Sequence, residues 1–163
     1  ATGAIGSALL QFVKQYDVKI TATCNTKNIQ LIESLGADKT YDYTKEDFTD
    51  DNDKYDFIFD TVGKSTFGKC KPLLKGKGIY ISSELGPFSQ NIFFPLITSI
   101  SNKKVIFPIP YSTQKTIPYI SKLLETEKFK PVIDREYSLK DISKAYEYVL
   151  AGQKTGNVII EVE

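Results

Sequence analysis

Ala1-Thr2-Gly3-Ala4-Ile5-Gly6 opens the chain, and an amphipathic run follows it directly. Ile5, Ala8, Leu9, Phe12, Val13 and Tyr16 recur at helical spacing, so residues 5–16 are expected to form a helix. Gly3 and Gly6 then stand at the helix entrance. Bare glycine backbone and free helix N–H groups together suit a phosphate, which carries negative charge and needs donors at close range. The pattern is Ala-x-Gly-x-x-Gly, with Ala1 where a first glycine is usual. A plain turn before a helix would carry the same glycines, so the motif counts only in a strand-loop-helix context. A feeding strand is expected immediately before Ala1, outside this sequence. The absence of methionine fits that expectation.

Working outward, residues 18–23 read as a strand and 27–35 as a helix. Asn25 or Thr26 would cap that helix and Gly36 would close it. A short strand at 39–42 and an acidic loop at 44–56 follow. Phe57-Ile58-Phe59 suits a strand buried on both faces. A helix is expected at 65–74, a strand at 78–82 and a helix at 93–100. Val105-Ile106-Phe107 reads as a strand stopped by Pro108 and Pro110. The helix at 113–126 would turn Ile117, Ile120, Leu123 and Leu124 inward. Alternation of this kind predicts an α/β fold: a doubly wound parallel (Rossmann) sheet with helices on both faces, its first strand missing from the chain. Beyond it come an extended stretch at 131–134, a helix at 139–151 and a strand at 157–163.

Composition narrows the function classes. The 163 residues can bury one sizeable core. A net charge of +1 with scattered basic residues predicts no nucleic-acid partner. No apolar stretch approaches the ~20 residues that span a bilayer, so no membrane association is expected. With no histidine and only Cys24 and Cys70, no metal site is expected, and a reducing, cytoplasmic setting is the default. No acid-base pair or nucleophile stands out, and no catalytic residue is assigned.

About 20 residues after such a loop, an NAD site places an acid at the end of the second strand. Here that stretch reads Thr23-Cys24-Asn25-Thr26-Lys27-Asn28, without one. Its hydroxyls, amides and ammonium group suit a 2′-phosphate, which favours NADP. Lys27 also opposes the helix dipole by a few tenths of a kcal/mol, a conflict that a bound phosphate would relieve.

Several motifs in order resemble the medium-chain dehydrogenase/reductase superfamily, in its zinc-free quinone oxidoreductase and enone reductase branch. They are the opening loop with Gln11, Leu35-Gly36-Ala37-Asp38, Tyr41-Asp42-Tyr43, Asp56 to Gly63, and the ending Gly152 to Ile160. The resemblance covers the whole chain. It implies residues 1–130 as an NADP-binding Rossmann domain, and 131–163 as a segment that packs back toward a catalytic barrel preceding this chain. Backbone around Thr2, Gly3, Ala4, Ile5 and Gly6 would hold the pyrophosphate. Asn25, Thr26 and Lys27 would hold the 2′-phosphate, and Tyr43 would lie near the adenosine. Val62, Ser82 and Phe107 would follow strands where the ribose and nicotinamide pass, and Asn157 would reach the nicotinamide half.

The implied activity is NADPH-dependent hydride transfer to a quinone or α,β-unsaturated carbonyl, with a small-molecule substrate. The chain alone would be inactive, since the proton donor would lie upstream. A homodimer through the sheet edge near 105–107 is expected. A zinc-dependent alcohol dehydrogenase fragment, a non-catalytic nucleotide-binding module and a methyltransferase remain alternatives.

Overall fold

The computed structural model describes residues 1–109 and 113–162. Its chain divides into two units, Ala1–Glu46 with Thr113–Glu163, and Asp47–Ser112. Among the described residues the strands form three all-parallel sheets, of two, three and two strands. The α/β class and Rossmann-like elements expected from the alternation are present.

In the first unit, α1 (Ala4–Val13) leads to β1 (Thr21–Cys24), α2 (Ile29–Ser34) and β2 (Lys39–Asp42). β1 and β2 pair in parallel with Thr21 beside Lys39 and Cys24 beside Asp42. The expected helix at 27–35 starts later, because Thr26, Lys27 and Asn28 form a 3-10 turn. Asn25 precedes that turn, but its side chain accepts from the Asn28 amide at 2.7 Å rather than from a backbone N–H. Gly36, at φ +112°, ends α2 as expected. Leu10, Ala22, Cys24 and Ile32 make the buried core, with Ile20, Ile29, Leu35 and Ala37 around it. Cys24 packs there fully buried, and burial pushes its thiol up.

The same unit holds α5 (Thr113–Glu125), β6 (Ile133–Ser138), α6 (Ile142–Leu150) and β7 (Asn157–Glu161). β6 and β7 are parallel partners joined through α6. Of the α5 residues expected inward, Leu123 is buried but Ile117 and Leu124 are exposed. Gln11 ties α1 to the chain beyond α5. Its amide donates to the Lys130 carbonyl at 3.0 Å and accepts from the Lys130 N–H at 2.8 Å.

The second unit carries β3 (Tyr55–Asp60), α3 (Phe67–Cys70), β4 (Leu74–Ser82), α4 (Gln90–Thr98) and β5 (Lys104–Ile106), with β4 between β3 and β5. Its core gathers Phe67, Cys70, Leu74, Tyr80 and Val105. Contrary to the two-faced burial expected of β3, only Ile58 packs on this core, while Phe57 and Phe59 are 54% and 40% exposed. Strand alternation explains the difference: they share the opposite face, with rings 6.3 Å apart. The helix expected at 65–74 is one turn of α3 capped by Thr66, then a 3-10 turn containing Pro72. Leu74 already belongs to β4, which is longer than the strand expected at 78–82.

Candidate nucleotide-binding site

Gly3 is the N-cap of α1, with extended backbone and no capping side chain, and the first turn holds no acid. The first N–H groups of a helix have no partners within it, so this end presents donors and the positive pole of the dipole. A Cβ placed on Gly3 would meet nothing within 4 Å. The space where a side chain would stand is open. Gly6 serves differently. A Cβ on it would lie 2.9 Å from backbone atoms of Ala1, so the bare residue lets the helix pass close to the incoming chain. Thr2 and Ala4 are half-buried, and Ile5 is exposed.

The loop is fastened from a distant part of the sequence. The Gly156 N–H donates to the Thr2 carbonyl at 2.6 Å, and Gly3 and Gly156 form a parallel bridge. Beside it, the Thr155 N–H donates to Asp134 at 2.8 Å, and the Thr155 hydroxyl reaches Asn28 at 3.4 Å. Asn157 is half-buried and spends both its N–H and its side-chain amide on the Val132 carbonyl, at 2.8 and 3.0 Å.

At the carboxyl ends of β1 and β2 the structure brings Asn25, Thr26 and Lys27 beside Tyr43. The Tyr43 N–H donates to the Cys24 carbonyl at 2.9 Å, while its ring is exposed, as are Thr26 and Lys27. Asp42 lies beneath them and was not singled out from the sequence. It accepts the Thr26 hydroxyl at 2.5 Å and the Thr44 hydroxyl and N–H at 2.6 and 3.0 Å. Those hydrogen bonds from Thr26 and Thr44 lower its carboxyl to about 2.

A depressed carboxylate stabilises the fold above its unfolded value of about 3.9, and that contribution is lost as pH falls toward 2. Asp42→Asn is therefore expected to flatten the acid limb of stability between about pH 4 and 2. Urea melts at stepped pH would show it. An unchanged limb would mean that the carboxylate is not held this way.

In the second unit, Val62 and Phe107 follow β3 and β5 and Ser82 is the last residue of β4, so all three lie at the carboxyl ends of neighbouring strands, where open α/β sheets hold ligands. Val62 is exposed, Phe107 half-buried and Ser82 fully buried. The Ser82 hydroxyl is engaged with the backbone of Glu84 at 3.2 Å. Asp60, also missed from the sequence, organises the loop after β3. Its carboxylate accepts from the N–H groups of Val62, Gly63 and Ser65 at 3.1, 2.7 and 3.3 Å, and from the buried Tyr80 hydroxyl at 3.0 Å.

Residues 35–160 match the zinc-binding dehydrogenase family. The chain belongs to that family. Within the medium-chain dehydrogenase/reductase superfamily it stands with the quinone oxidoreductase and enone reductase-like branch. It is 33% identical over 162 residues to a 2-methylene-furan-3-one reductase of Solanum lycopersicum, covering 97% of this chain and 38% of that protein. It is 33% identical over 164 residues to an NADPH-dependent alkenal/one oxidoreductase, chloroplastic, of Arabidopsis thaliana, again 97% of this chain and 38% of the relative. The quinone oxidoreductase from Coxiella burnetii superposes with a TM-score of 0.86 at 21% identity, covering 99% of this chain and 50% of that one. At that identity the likeness speaks for the fold. The chain thus spans about half or less of the relatives it matches.

Despite the family's name, no group of three His, Cys, Asp or Glu side chains suited to a metal ion occurs among the described residues. Nor is any described helix long and apolar enough to cross a membrane.

Proposed function

We propose that this zinc-binding dehydrogenase family chain is the cofactor-binding part of an NADPH-dependent oxidoreductase. The reaction is hydride transfer to a quinone or to the β-carbon of an α,β-unsaturated carbonyl. The observation that carries the reading is Gly3, which stands at an uncapped helix N-terminus with open space where its side chain would be. A dinucleotide pyrophosphate fits that edge, held by backbone N–H groups of Ala4, Ile5 and Gly6 with Thr2 beside it. The nicotinamide supplies the hydride when bound, and this chain contributes binding and orientation.

The preference for NADPH rests on the strand end. Asn25 and Lys27 offer an amide and a cation to a 2′-phosphate, with Tyr43 alongside for the adenosine. Val62, Ser82, Phe107 and Asn157 are assigned to the ribose and nicotinamide half. The names of relatives that are quinone, enone or NADPH-dependent oxidoreductases support the same class. The proton donor and substrate pocket belong to a catalytic domain of the kind that the relatives' greater length accommodates, toward which residues 131–163 would pack. The exposed edge of β5 is assigned to a homodimer contact, and two unpaired buried thiols fit a reducing compartment such as the cytoplasm.

Calorimetric titration of the intact protein with NADPH, NADH and S-adenosylmethionine tests this. NADPH is expected to bind tightest. Binding of S-adenosylmethionine alone would overturn the oxidoreductase reading, and NADH binding tighter than NADPH would overturn the cofactor assignment.

A further inference from the structure

An acid does reach the end of β1, but from the neighbouring strand. Parallel pairing sets Cys24 beside Asp42, so the residue that ends β2 lies against the turn that leaves β1. Asp42 is 4% exposed. One carboxylate oxygen takes the Thr26 hydroxyl and the other takes the Thr44 hydroxyl and N–H. The exposed Lys45 ammonium, 3.5 Å away, is its salt-bridge partner. With its carboxyl lowered to about 2 by Thr26 and Thr44, Asp42 is charged at every physiological pH.

This arrangement fixes the polarity of two hydroxyls. A threonine hydroxyl has one hydrogen and two lone pairs. Both hydrogens are spent on Asp42, although the two oxygens lie only 3.3 Å apart. Thr26, which is exposed, therefore presents lone pairs outward. A ribose 2′-hydroxyl can donate to such an edge. A 2′-phosphate meets acceptor atoms and, one bond further in, a carboxylate of its own sign. Asn25 and Lys27 pull the other way, since they offer donors and a positive charge.

We propose that Asp42 is a selectivity-determining positioning residue: it holds Thr26 and Thr44 as acceptors for a ribose 2′-hydroxyl and so restrains the preference for a 2′-phosphate. The protein then accepts both cofactors, with NADPH favoured by Lys27 and that advantage trimmed by Asp42. This rests on the reading that a nicotinamide dinucleotide binds at this strand end.

The test is the ratio of the NADH and NADPH dissociation constants in the intact protein. Structural damage would weaken both cofactors together and leave the ratio alone. Asp42→Asn removes the charge and, with its one oxygen kept by Thr44 and its NH2 facing Thr26, frees the Thr26 hydroxyl hydrogen, so it is expected to shift the ratio toward NADPH by about tenfold. Thr26→Ala, at an exposed position, removes the acceptor itself. It is expected to weaken NADH about fivefold and to leave NADPH as tight or tighter, since the acceptor edge facing a 2′-phosphate is gone, and Thr26→Ser should restore the wild-type ratio. Thr26→Ala carries the test if Asp42→Asn does not fold. A ratio within twofold of wild type in Asp42→Asn or in Thr26→Ala, or a shift toward NADH in either, would overturn the proposal while leaving the cofactor reading intact. Failure of the wild-type protein to bind either nucleotide would overturn both.

Discussion

Gly156→Ala is expected to destabilise the first unit by at least about 3 kcal/mol, a large loss for one methyl group. Gly156 has φ +72°, a conformation that costs other residues about 1–2 kcal/mol. The greater problem is space, because an added Cβ would sit 2.2 Å from the Val132 carbonyl oxygen and 2.6 Å from its side chain. Backbone cannot swing aside as a long side chain can. Relief would move Val132, the residue just before β6, or the Gly156 N–H, and the latter would break the bond to Thr2. Gly152 is the built-in comparison. Its φ is +69°, but nothing lies within 4 Å of an added Cβ. Gly152→Ala should therefore cost only about 1 kcal/mol. Urea unfolding of the two variants would separate clash from conformational strain. Equal midpoints would show that the approach to Val132 is not tight.

Removing the Asp60 carboxylate is expected to cost about 2–4 kcal/mol. Asp60→Ala strands the hydroxyl of fully buried Tyr80 and releases the N–H groups of Val62, Gly63 and Ser65. Tyr80→Phe deletes donor and demand together, so it should cost no more than about 1 kcal/mol, and the double variant should be much better than additive. Burial first, and then the Asp60 charge, raises the Tyr80 hydroxyl well above its ordinary value. A group whose folded pKa is raised gives stability that is complete below the unfolded value, about 10, and is lost as pH climbs past it. Tyr80→Phe should remove that alkaline loss. Additive costs for the pair, or an unchanged alkaline limb, would show that the two groups act separately.

Local signals in the sequence located most elements, because helix period, strand composition and glycine stops act over a few residues. The strand at Lys39–Asp42, the stop at Gly36 and the open loop at Gly3 and Gly6 were legible in this way. Burial was harder to read. Phe57 and Phe59 are apolar yet face outward, and Ile117 and Leu124 share a helical stripe with buried Leu123 yet stay exposed. Composition does not state which neighbour covers a face. Pro72 and Leu74 were counted into a helix, although the proline stands in the 3-10 turn and Leu74 opens a strand.

The site followed the same division. Asn25, Thr26 and Lys27 came from spacing along the chain. Asp42 is not legible in that way, because it reaches the end of β1 across the strand pairing and not along the chain. Its local signature was present: an aspartate two residues before Thr44 whose carboxylate accepts the Thr44 N–H. Nothing local announces that Gly156 meets Thr2, since such a contact exists only once the fold does.

That last contact also sets an order of events during synthesis. Gly3 and Gly156 lie near opposite ends of this sequence, and a ribosome adds about 5–20 residues per second. For several seconds the nascent loop has its glycines and its helix but no donor for the Thr2 carbonyl. The loop at Gly3 is thus fastened only once Gly156 has been made, and a chain cut short before Gly156 would leave the ribosome with that loop unlatched.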